Sequence, residues 1–154
     1  MPICVVGTGY VGLTTGACLA AIGHDVVCTD SDAAKIAMLN AGGVPIFEER
    51  LPELIAAGMA SGRLRFTSDT TAAMRAGEVI FICVGTPPDA DGKANLAAVE
   101  AVARQIAQQA TGYRLVVGKS TVPVHTGRHI EQVLATYGQG RLEFDVASNP
   151  EFLR

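Results

Sequence analysis

Val5-Val6-Gly7-Thr8-Gly9-Tyr10-Val11-Gly12 follows the apolar run Ile3-Cys4-Val5-Val6 and opens into Leu13–Ile22, which has helical periodicity. A short buried strand, G-x-G-x-x-G and a helix form the context that a dinucleotide fingerprint requires. Gly7 permits the tight turn, bare Gly9 lets a pyrophosphate approach the backbone, and Gly12 lets the helix pack close to the sheet. The helix start adds unpaired N–H groups and a positive dipole end. With 17 glycines in 154 residues, three at this spacing need support from their surroundings.

The next residues give that support. Gly23, with His24 beside it, ends the helix. Asp25-Val26-Val27-Cys28-Thr29 is a second apolar strand. It delivers Asp30 about 20 residues beyond the glycines, where an acid binds the ribose hydroxyls. An acid there repels a 2′-phosphate, so NAD is expected over NADP. Ser31 is expected to cap the following helix, with Asp32 in its first turn. Lys35 has two readings by spacing: its ammonium reaches a ribose or phosphate over Asp30, or it pairs with Asp32 at i,i+3.

Composition narrows the class. The length suits one domain over 1–154. Apolar residues make up 49% and mean hydropathy is +0.30, enough for a full core. A net charge of −3 and a pI near 5.5 argue against a nucleic-acid surface. No apolar run reaches the roughly 18 residues of a membrane span. The chain starts directly in a strand without a basic leader, so a cytoplasmic location is expected. Cys4, Cys18, Cys28 and Cys83 lack C-x-x-C spacing and read as small buried residues in a reducing compartment. No metal site is expected.

Further along, Asn40–Gly43 stops the second helix and Val44–Phe47 reads as an extended loop around Pro45. Leu51–Met59 reads as a helix and Arg63–Thr67 as a half-exposed strand. Ser68 or Asp69 caps a short helix. Glu78–Val84 is the most apolar run, a central strand buried on both faces. Asp89–Lys93 reads as a solvated turn, because Gly92 and Lys93 stand where a calcium loop cannot have them. Asn95 caps a helix with Val99, Val102, Ala103 and Ile106 on one face. Tyr113–Gly118 is a fifth strand, Thr126 is expected to cap the next helix, and Phe144–Ser148 is a sixth strand. Six strands alternating with helices predict an α/β fold, a Rossmann-type doubly wound parallel sheet of order 3-2-1-4-5-6. Ligands in such sheets bind beyond the carboxyl ends of the strands.

Four motifs then occur in order: Gly7-Thr8-Gly9-Tyr10-Val11-Gly12-Leu13, Val84-Gly85-Thr86-Pro87-Pro88, Lys119-Ser120-Thr121-Val122-Pro123-Val124 and Asn149-Pro150-Glu151-Phe152-Leu153-Arg154. Together they resemble the NAD-binding domain of the UDP-glucose/GDP-mannose dehydrogenase family, over the whole chain. The stretch Gly42–Glu48 and Pro87-Pro88 look more like the UDP-glucose members. Glu49-Arg50 stands where the family often has Pro-Gly, and His125 where a glycine is common.

The resemblance implies a four-electron oxidation of a sugar CH₂OH to a carboxylate, with two NAD reduced and a cysteine carrying the intermediate. It implies cofactor contacts at Gly7, Gly9, Tyr10, Val11, Gly12, Asp30, Lys35, Gly85, Thr86, Pro87, Ser120 and Thr121, which favours the cofactor reading of Lys35. It implies catalytic roles for Thr121 and Glu151, in water positioning and acid/base chemistry. Glu151, Phe152, Leu153 and Arg154 are implied as one wall of the nucleotide-sugar site. Read without the resemblance, Thr121 is a turn hydroxyl before a proline and Glu151 a helix-capping carboxylate. The family's nucleophilic cysteine, central helix and sugar-nucleotide domain match nothing in this sequence. The chain alone is therefore expected to bind NAD and oxidise nothing, within a parent that is a homodimer acting on a nucleotide sugar, UDP-glucose first. The alternatives are GDP-mannose, a UDP-N-acetyl sugar, or a non-catalytic NAD-binding module.

Overall fold

The computed structural model describes residues 1–151. Its strands are β1 (Pro2–Val6), β2 (Asp25–Thr29), β3 (Leu64–Thr67), β4 (Val79–Ile82), β5 (Gly112–Gly118) and β6 (Leu142–Ser148). They form one parallel sheet in the expected order β3-β2-β1-β4-β5-β6. The helices are α1 (Tyr10–Ala21), α2 (Ala33–Asn40), α3 (Leu51–Ala60), α4 (Thr70–Ala76), α5 (Ala97–Gln109) and α6 (Thr126–Gly138).

Strand alternation divides the core. Ile3 and Val5 of β1 pack with Leu13 and Ala17 of α1, Ile36 and Leu39 of α2, and Leu51 and Ile55 of α3. Cys4 and Val6 face the other way, onto Met74 of α4, Val99 and Ile106 of α5, and Ile130 and Leu134 of α6. The central strands are covered on both faces, so they read as unbroken apolar runs.

Register gathers the functional residues. Val6 pairs with Thr29 and Ile82, Thr29 with Thr67, Ile82 with Gly118, and Gly118 with Ser148. The strands thus end in one row. The chain leaves that row at Gly7, Asp30, Cys83, Lys119 and Asn149, on a single edge.

Several expectations need correction at their ends. Asp32, not Ser31, caps α2: its Oδ1 accepts the N–H groups of Ala34 and Lys35, each at 3.0 Å. The Asp32 N–H donates to Asp30 Oδ1 (3.0 Å), and that turn delays the helix by one residue. Thr126 is the first residue of α6 rather than its cap. Its hydroxyl donates to Pro123 O (2.8 Å), and exposed His125 holds the cap position at φ −86°. Cys18 is exposed, on the outer side of α1; Cys4, Cys28 and Cys83 are buried. Cys83 falls just beyond β4, which is shorter than its apolar run.

Other boundaries hold. Gly23, at φ +105°, closes α1 with bonds from its own N–H to Ala20 O and from His24 N–H to Leu19 O, the two bonds of a Schellman stop. Asp69 Oδ1 caps α4 through Ala72 (2.9 Å). Asn95 does not cap α5: Leu96 holds the cap position, and Asn95, one residue earlier, accepts the Ala97 N–H on its Oδ1 (2.9 Å). Asp89 Oδ1 is taken up by the N–H groups of Asp91 and Lys93, which makes its loop a self-bonded turn.

Candidate cofactor site

Gly7 leaves β1 at φ +102°, a conformation that side chains disfavour. Its N–H still bonds Thr29 O (2.8 Å), so the turn stays fastened to β2. Gly9 caps α1 with no side-chain bond, and the space where its Cβ would stand is open. Gly12 is different: a Cβ there would collide with Gly7 O and meet Cys83 Cβ. The last glycine of the motif therefore packs the helix against its own turn. Close approach of α1 to the sheet belongs to Gly16, whose Cβ would strike Cys28 Sγ, and the motif reading misses that residue.

Beside this turn lies a cleft of about 500 Å³. Gly7, Gly9, Asp30, Lys35 and Gly85 line it, five of the expected cofactor residues. Its far wall is the outer face of α5, with Ala98, Ala101 and Gln105, and Thr70 closes one end. These four were not anticipated. Their signal is faint: Ala98, Ala101 and Gln105 stand on the face of α5 that periodicity assigns to solvent.

Asp30 is the charged centre. Its Oδ2 accepts from Thr8 N–H (2.9 Å), Thr8 Oγ1 (2.7 Å) and Lys35 Nζ (3.0 Å), while Oδ1 accepts from Asp32 N–H. Burial pushes the carboxyl pKa up. The bonds from Asp32, Thr8 and Lys35 outweigh it and bring the value down to about 2. Lys35 thus pairs with Asp30 rather than with Asp32, and it lines the cleft.

The remaining expected residues divide. Tyr10 is half-exposed and donates its hydroxyl to Phe47 O (3.4 Å), while Val11 packs against the core on the α1 side. Pro87 O accepts the Asn95 N–H (2.9 Å). Ser120 is buried and its hydroxyl donates to Val84 O (2.7 Å), which ties the end of β5 to that of β4. Thr86 Oγ1 donates to Thr121 O, and Thr121 Oγ1 to Glu151 O, both at 2.8 Å. Gly85, Thr86, Thr121 and Glu151 therefore form a linked series running from the cleft along the strand edge. Lys119, given no role from sequence, lies 3.3 Å from Glu151 Oε2 and 3.3 Å from Asn149 Oδ1. Phe152, Leu153 and Arg154 lie outside the described residues.

Desolvation raises the thiols of Cys4 and Cys83 to about 12 and pushes Cys28 up as well. Buried thiols of this kind are poor nucleophiles.

The model of the UDP-glucose/GDP-mannose dehydrogenase family, NAD binding domain, matches residues 1–154. The chain belongs to this family. A UDP-glucose 6-dehydrogenase of Rhizobium meliloti is 50% identical over 155 residues, covering 100% of this chain and 35% of the relative. UDP-glucose 6-dehydrogenase TuaD of Bacillus subtilis is 47% identical, covering 99% of this chain and 33% of the relative. A solved UDP-glucose dehydrogenase from Pyrobaculum islandicum superposes with a TM-score of 0.93 at 40% identity, over 99% of this chain and 36% of the other. The chain spans about a third of the length of these relatives. It is the NAD-binding domain of an oxidoreductase family.

Proposed function

We propose that residues 1–154 form one domain, which holds NAD for an enzyme that oxidises UDP-glucose to UDP-glucuronate with two NAD. The observation that carries the reading is the hydrogen-bonded series Thr86–Thr121–Glu151 leading out of the Asp30 cleft. Bound NAD would supply the acceptor for the hydride.

The chain's own residues hold the cofactor and handle the water. Asp30 accepts from the ribose diol through its remaining Oδ1 lone pair. Gly9 leaves room for the pyrophosphate against the first N–H groups of α1. Thr86 and Thr121 flank the nicotinamide end. Thr121 gives its proton to Glu151 O, so its oxygen lone pairs remain to accept from a water. The Glu151 carboxylate receives that water's proton, with Lys119 fixing its direction. By family resemblance, Phe152, Leu153 and Arg154 contribute to binding the nucleotide sugar. The nucleophilic thiol comes from another part of the parent protein, consistent with the buried, raised thiols of Cys4, Cys28 and Cys83.

The parent is read as a cytoplasmic homodimer. Among the described residues no helix is long and apolar enough to cross a membrane. The discriminating experiment is NADH production by the parent protein with UDP-glucose, GDP-mannose and UDP-N-acetyl sugars. Preference for UDP-glucose, with none turned over by this domain alone, is expected. Preference for another sugar overturns the substrate assignment, and turnover by the domain alone overturns the external nucleophile.

A further inference from the structure

Thr8 stands at a variable position of the glycine motif, yet its side chain has no exposure at all. A buried hydroxyl needs a partner. Here the partner is Asp30 Oδ2, 2.7 Å away and 22 residues along the chain. The Thr8 N–H adds a second bond to the same oxygen (2.9 Å), and Lys35 Nζ a third (3.0 Å). Oδ2 is thereby filled. Oδ1 carries a single bond, from the Asp32 N–H, and retains a lone pair. A carboxylate oxygen fixed in this way accepts from a ribose diol, which offers two O–H donors. It offers nothing to a 2′-phosphate, which is itself an anionic acceptor.

We propose that Thr8 is the positioning residue of Asp30: it holds Oδ2 against the glycine turn, presents Oδ1 to the ribose diol, and keeps Lys35 paired so that a 2′-phosphate finds no free cation. The inference rests on the reading of Asp30 as the ribose ligand. Loss of the Thr8 hydroxyl lets the carboxylate swing on its remaining bonds. Lys35 is then released toward an anion, and discrimination between the two cofactors falls.

The test is calorimetric titration of NAD and NADP into this domain and its Thr8→Val and Thr8→Ser variants, with circular dichroism as the check on folding. Valine matches threonine in shape and replaces the hydroxyl with a methyl group; Thr8→Ala, which removes the hydroxyl without adding a methyl, is used if Thr8→Val does not fold. Removing a bond to a charged group predicts NAD binding about tenfold weaker in Thr8→Val, with NADP binding unchanged or tighter. Thr8→Ser, which keeps the donor, stays within about twofold of wild type for both. Equal weakening of NAD and NADP, or failure of serine to rescue, overturns the inference and leaves Thr8 as a packing residue. An unchanged NAD-to-NADP ratio in Thr8→Val overturns it too, while normal wild-type NAD binding leaves the site reading intact. A wild-type domain that binds no NAD removes the site reading and the inference together.

Discussion

The carbonyl of Gly7 occupies the space that a side chain on Gly12 would need, so the first and last glycines of the motif fix each other. Gly9, between them, touches nothing on its open side. The two positions should therefore fail differently. Gly12→Ala forces backbone apart and should cost about 3 kcal/mol or more, seen as a lower denaturation midpoint. Gly9→Val should keep the wild-type midpoint and lose NAD binding by calorimetry. A Gly12→Ala protein as stable as wild type would refute this account of the turn.

Asp30 links the site to pH. Its carboxyl titrates near 3.8 when unfolded and near 2 when folded. The folded state therefore holds its proton more weakly, and the stabilisation is fully present above about pH 4. It is lost as pH falls through about 4 toward about 2. Urea denaturation at about pH 5 and about pH 3 should show a smaller acid loss in Asp30→Asn than in wild type. Equal losses would show that the four donor bonds do not tune this group.

Arg50 caps α3 in the left-handed region at φ 64°, at the position where relatives are expected to carry glycine. A side chain there costs about 1–2 kcal/mol, of which glycine's greater unfolded freedom returns about half. Arg50→Gly should raise stability by about 0.5 kcal/mol. A drop on chemical denaturation would mean that the arginine side chain holds the loop.

Thiol exposure is uneven. Cys18 is exposed, while Cys4, Cys28 and Cys83 are buried with raised pKa values. A thiol reagent near neutral pH should modify one cysteine quickly and the other three only on unfolding. Mass spectrometry should place the first label on Cys18; early labelling of Cys83 would contradict the packing behind the turn.

Ala101 lines the cleft from α5 and its side chain is exposed. Ala101→Leu should leave the denaturation midpoint within about 0.5 kcal/mol of wild type. It should weaken NAD binding by filling the cleft. Undiminished affinity would move the adenosine half of the cofactor elsewhere.

The local chemistry of the sequence carried much of this. Short apolar runs alternating with helical ones dictated six parallel strands, and the glycine turn followed by Asp30 marked the edge where ligands bind. What escaped depends on register. Thr8 and Asp30 meet only because β1 and β2 pair Val6 with Thr29. Lys35 turns back to Asp30 because the carboxylate lies within its reach, which spacing along one helix does not show. The α5 wall was invisible because alanines on an outward face read as solvent-facing until the loops of β1 and β2 stand opposite them. The cap of α2 moved to Asp32 because Asp30 takes up its N–H.

The most direct test of the central claim is an amide chemical-shift map of this domain titrated with NAD. The account predicts saturable shifts at Gly7, Thr8, Gly9, Asp30, Lys35, Gly85 and Ala101, continuing to Thr86 and Thr121. Shifts confined to α6 and β6, or none at saturating NAD, would contradict it.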